Sequence, residues 1–144
     1  MAIPKDEATG DYGSLIAQAE AAVEALRDTY RVQLAEDIAA LEEVWARVEG
    51  GAPADEALAE MHSIAHNIKG QGGSFGYDLV TVIGASFCDY LRSGTRVSPE
   101  ERNIVNMHIR MLKTVSDNNI AGDGGETGQR IAEKLRALTG RGEI

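Results

Sequence analysis

From Ser14 onward the apolar residues fall three or four places apart. Leu15, Ala19, Ala22, Leu26, Tyr30, Leu34, Ile38, Leu41, Trp45 and Val48 make one stripe, the pattern of a helix with a single buried face. No glycine or proline interrupts it, so the pattern predicts one long helix over about 15–49. Asp28–Arg31 is the place for any bend, and Gly50-Gly51 supplies the stop. Residues 1–13 are polar and contain glycine, which predicts a flexible head.

Pro53 opens a second helix, with Asp55 and Glu56 in the first turn where the helix dipole favours acids. Its apolar side, Ala57, Leu58, Met61, Ile64, Ala65, Ile68, Gly72 and Phe75, continues to Phe75. The helix is therefore expected to run straight through its glycines and stop at Gly76. Asp78 starts a third helix, with Leu79, Ile83, Phe87 and Tyr90 on one side, ending near Ser93-Gly94. The run Ser98-Pro99-Glu100-Glu101 is a start signal: a capping serine, a first-turn proline and a capping-box glutamate. Ile104, Met107, Met111, Leu112 and Val115 form the stripe of that fourth helix. Residues 121–128 read as a loop, 129–138 as a last short helix, and 141–144 as a polar tail.

No segment reads as a strand and no internal repeat is present. The pattern predicts an all-α fold over 14–140: an antiparallel, up-down four-helix bundle with a long N-terminal helix and an additional short C-terminal helix.

Composition narrows the function classes. The chain has 144 residues, 43% of them hydrophobic and 26% charged, with a net charge of −9. That is enough for one domain with a core. Nucleic acids and anionic membranes need clustered lysine and arginine, so neither is an expected partner. Cys88 is the single cysteine and cannot form an internal disulfide, and the N-terminus has no apolar core of a signal peptide. No window approaches a transmembrane span. A cytoplasmic location is expected.

The stretch AHNIKGQGGSFG, residues 65–76, carries the candidate chemistry. At about 100° per residue, His66 lies roughly 150° from the centre of its helix's apolar stripe and points to solvent. Ala59, Gly70 and Gly73 share its strip, and Lys69 follows at i+3. The imidazole is thus framed by residues with almost no side chain. Each helical glycine costs roughly 1 kcal/mol relative to alanine. In return Gly70 and Gly73 clear space for another protein's surface, and His62 stands at the edge of that docking face. Gly72 faces inward, where it lets a neighbouring helix come close.

These residues resemble the signature of the histidine-containing phosphotransfer (HPt) family. The pattern is a His, an aliphatic residue two on, Lys three on, Gly four on, small residues, then Gly ten on. Here it reads His66, Ile68, Lys69, Gly70, Gly73 and Gly76, with Ala65 before the His. The resemblance implies a four-helix bundle with His66 midway along its second helix, reversibly phosphorylated. The phosphoryl group would come from, and pass to, the aspartate of a response-regulator receiver domain or hybrid histidine kinase. Lys69 matches the lysine that holds phosphoryl oxygens, and Gly70 the glycine that gives the partner access. The family implies a phosphocarrier without kinase activity of its own. It also implies no cofactor bound by this chain, with Mg²⁺ and the acidic cluster in the receiver.

Other readings are weaker. The glycines superficially resemble a kinase phosphate loop, but the flanking strands and downstream kinase motifs are missing. His62 and His66, four apart, could share a metal, yet the residue after His62 is Ser63 and no further ligand is aimed at them, so no metal site is expected. His108 sits in an apolar stripe and reads as a partly buried structural histidine with a hydrogen-bond partner. Cys88 has no base at a recognisable spacing. A helical scaffold without transfer chemistry is the main alternative; the long first helix could pair with a copy of itself as a homodimer, which is compatible with phosphotransfer or could replace it.

Overall fold

The structure, a computed structural model, describes the backbone over residues 5–93 and 98–139 and the side chains from Tyr12 onward. It is built from α1 (Lys5–Glu49), α2 (Ala54–Gly72), a short 3-10 turn (Gly73–Phe75), α3 (Asp78–Arg92), α4 (Pro99–Asp117) and α5 (Gly125–Thr139). No strand occurs among the described residues. The C-terminal half of α1 packs on α2 and α4, and α3 packs on α2 and α4, closing a four-helix ring. The fifth helix lies against α3 and α4. Short connections make the ring antiparallel, as the pattern predicts.

The core follows the stripes. Leu34, Ile38, Leu41, Val44, Trp45 and Val48 of α1 are buried against Met61, Ala65 and Ile68 of α2, Val80, Ile83 and Phe87 of α3, and Val105, Leu112 and Val115 of α4. Trp45 Nε1 donates to Asn106 Oδ1 at 2.8 Å, tying α1 to α4. Ser98 Oγ accepts from Glu101 N at 3.2 Å, the cap that the sequence announces for α4. One end of the bundle is closed by aromatics. Tyr30 stacks on Phe75 with ring centres 4.7 Å apart and lies 5.6 Å from Tyr77. Burial pushes the Tyr30 hydroxyl up to about 12.

Four expectations about the helices need correction. The helix predicted over 15–49 begins at Lys5 and so takes in residues 5–13 of the expected head; residues 1–4 lie outside the described residues. Gly10 and Gly13 lower helix propensity without breaking the backbone ladder. The long stripe is not one core face: Leu15 and Leu26 are exposed, as are Ala19 and Ala22, and burial starts at Tyr30. Periodicity reports a sticky face, not what covers it. The second helix does not keep its α form to Phe75 but tightens into the 3-10 turn after Gly72. Finally, α5 begins at Gly125, inside the predicted loop, where Asp123 Oδ1 accepts from Gly125 N at 2.9 Å. The tail at 141–144 lies outside the described residues.

His108 is fully buried, not partly. Its Nδ1 lies 2.8 Å from the Ile104 carbonyl oxygen, which can only accept, so Nδ1 carries the proton. Nε2 then accepts from Ser86 Oγ at 2.9 Å. The ring stacks on Phe87 with centres 4.9 Å apart. Burial lowers its pKa from 6.5 to about 4, with the Ile104 carbonyl opposing in part. A neutral folded-state imidazole stabilises the fold fully above pH 6.5, and that stability drains away as pH falls towards 4. Urea titrations should show a loss on the order of 3 kcal/mol from this group between those limits. The His108→Gln variant should lose that component of the pH dependence; an unchanged profile would refute the assignment.

Candidate functional site

The site is built on the outward side of α2. Ala57, Leu58, Met61, Ala65, Ile68 and Gly72 are buried, which fixes the helix's rotation about its own axis. That rotation leaves His66 exposed near the middle of α2, with Asn67, Lys69 and Gly70 also exposed. Lys69 lies in the last turn, where a cation complements the helix dipole. A Cβ placed on Gly70 would meet nothing within 4 Å, so the space beside the imidazole is open.

The other predicted residues divide into two groups. Ala59 is exposed and lines a shallow recess with Asp55, Leu58, His62, Ser63, Leu91 and Arg92, between α2 and the end of α3. His62 is half-buried there, more covered than a surface residue, and its Nε2 is buried without a hydrogen-bond partner. The His62 and His66 rings lie nearly parallel with centres 6.4 Å apart. Among the described residues, no group of three or more His, Cys, Asp or Glu side chains could hold a metal ion.

The glycines differ in what they do. Gly73 is exposed, and a Cβ there would make only ordinary contacts, 3.6 Å from Thr81 Oγ1 and 3.8 Å from Asp78 Oδ1. Gly72 is buried, and a Cβ there would come within 2.7 Å of Thr81 Oγ1 and 3.0 Å of the Tyr77 carbonyl oxygen. This is the close approach expected of it. Gly76 closes the 3-10 turn with φ +84°, a left-handed backbone that suits glycine.

Two supporting residues on α3 escaped the sequence reading. A Cβ on Gly84 would lie 3.0 Å from the Lys69 backbone nitrogen and 3.1 Å from its Cα, so α3 touches α2 directly beneath Lys69. The Thr81 hydroxyl donates to the Lys69 carbonyl at 3.1 Å and accepts from Gly73 N at 2.8 Å. It thereby bonds the backbone at the junction where α2 tightens. The available signal was a glycine amid the apolar run of a helix, which marks a close approach. Cys88 is buried, with Sγ 4.0 Å from the His62 carbonyl. Burial pushes its thiol up while the Lys69 charge pulls it down; a protonated buried thiol is no nucleophile.

An all-helical bundle carrying an exposed histidine on its second helix is the geometry that the sequence resemblance calls for, and a family model decides the matter. The Hpt domain model matches residues 15–115. The chain belongs to the Hpt domain family. No curated protein and no solved structure matches it. Hpt domains are phosphocarriers of phosphorelays. The match takes in α2, α3 and most of α4, but it begins within α1 and stops before α5. Residues 5–14 of α1 and the whole of α5 lie outside the matched region.

The seam under Lys69 yields two stability predictions. Gly84→Val should destabilise by about 1–3 kcal/mol through overpacking against the α2 backbone. Gly70→Ala should stabilise by about 0.5–1 kcal/mol, since its Cβ meets open space in a helix. Thermal or urea unfolding of both variants checks the pair; a tolerated valine at 84 would contradict the tight seam.

Proposed function

We propose that this Hpt domain accepts a phosphoryl group on His66 from a phospho-aspartyl receiver, free or within a hybrid kinase, and passes it to another receiver. What carries the reading is His66, exposed on a helix whose opposite face is anchored in the core, with Gly70 leaving open space beside it.

One ring nitrogen of neutral imidazole attacks phosphorus in line while the bond from phosphorus to the aspartyl oxygen breaks. The aspartate leaves as a carboxylate and needs no proton, and the second ring nitrogen keeps its own. Lys69 lies one turn on, where its ammonium neutralises phosphoryl oxygens during transfer. The chain contributes positioning: the anchored α2 holds the nucleophile still while the partner closes over it. Ala59, His62, Gly70 and Gly73 form the docking strip, and Gly72 and Gly76 shape the end of α2 beneath it. In this reading Mg²⁺ belongs to the receiver, with its acidic cluster. No helix among the described residues is long and apolar enough to cross a membrane.

The reading is tested by incubating the protein with a receiver carrying labelled phosphoryl aspartate. The native chain should take up acid-labile, base-stable label, and His66→Ala should take none. Lys69→Ala should transfer about 10–100-fold more slowly at unchanged stability, the loss of one charge-assisted contact in the transition state. Gly70→Trp should slow transfer at least as much while keeping the helix. Full transfer by His66→Ala would overturn the proposal, and native rates in the other two variants would remove the roles given to Lys69 and the open space.

A further inference from the structure

The first half of α1 presents an apolar seam that no other described element covers. Tyr12, Ile16, Ala19, Val23 and Leu26 are spaced four, three, four and three apart, the a and d rhythm of a coiled coil. Its large members are well exposed: Tyr12 67%, Ile16 58%, Val23 49% and Leu26 57%. Ile16, Ala19, Glu20 and Val23 edge a recess on this face, and Glu20, Val23, Glu24 and Arg27 extend it. Each is the i, i+3, i+4, i+7 set that receives a knob from a facing helix. The stretch from Lys5 to Thr29 would be about 37 Å long, and most helical stability in proteins comes from packing of an apolar face.

We propose that this seam pairs with the same seam of a second copy, antiparallel, to form a homodimer with a bundle at each end. The orientation follows from the next member of the series. Tyr30 continues the rhythm and is 4% exposed, already inside the bundle. The seam that meets the partner is therefore the face that the bundle occupies from Tyr30 onward. In a parallel pair both bundles would need the same space; in an antiparallel pair each lies beyond the other's N-terminus. The area suffices. The exposed seam side chains offer on the order of 600 Å² per chain, about 1,200 Å² for the pair, the lower end of stable specific interfaces. A lipid surface fits poorly, because Glu20, Glu24 and Asp28 flank the seam and anionic headgroups select lysine and arginine. His66 lies on α2, away from α1's overhang, so pairing leaves it exposed.

Light scattering on the full chain at about 100 µM tests the pairing independently of phosphotransfer. The native protein should weigh twice the 15.4 kDa chain, or 30.8 kDa. Ile16→Glu with Val23→Glu should halve that mass, while the bundle still melts cooperatively, since both side chains are exposed. A native mass of 15.4 kDa overturns the proposal and leaves the seam to a different protein; so does a variant that stays dimeric. Spin labels on Lys113→Cys, whose position faces Glu42 of α1, read the orientation. Antiparallel pairing puts them about 60 Å apart, and a separation under about 40 Å overturns it.

Discussion

The closeness of α2 and α3 governs the rest of the structure. Gly84 lies against the Lys69 backbone, and Gly72 against Thr81 and the Tyr77 carbonyl. Two helices without side chains at their crossing points approach more closely than side chains permit, so the remaining faces of α2 are set by where its backbone must lie. Met61, Ala65 and Ile68 go inward, and the opposite strip, His66 included, goes out. A bulkier residue in the seam would lift the strip and tilt it. The precision that a transfer histidine needs is thus a packing property, built from glycine and a threonine hydroxyl rather than from contacts to the imidazole itself.

The three histidines show how environment divides one side chain into separate roles. His108, buried between Phe87 and Ser86 with its protons assigned by two partners, is held neutral and serves the core. His62 is half-buried beside a recess, and one nitrogen is shut away from water and from partners. His66 alone is exposed, as a nucleophile meeting another protein must be. Phosphorylation adds close to two negative charges, which an exposed position beside Lys69 accommodates and a buried one would not.

The order of helices, the cap at Ser98 and the outward direction of His66 were legible because each rests on local spacing. A stripe three or four apart fixes a helix face whatever the neighbours are. The errors arose where the neighbours decide. Leu15 and Leu26 follow the same rhythm as Leu34 and Leu41, yet only the latter pair is covered, since no other described helix covers that part of α1. Residues 5–13 looked loose because two glycines mask the weaker helical preference around them. Gly84 was overlooked because its importance comes from a residue on another helix, Lys69, fifteen positions earlier in the chain. The tightening after Gly72 was hidden for a related reason: it answers to Thr81 across the seam.

The most direct measurement is the location of the phosphoryl group in the native chain. Tandem mass spectrometry under alkaline conditions, after exchange with a phosphorylated receiver, distinguishes His62, His66 and His108 within one sample. This account predicts phosphohistidine at His66 alone. Phosphate on His62, or a chain that carries none while its receiver keeps its own, would contradict it.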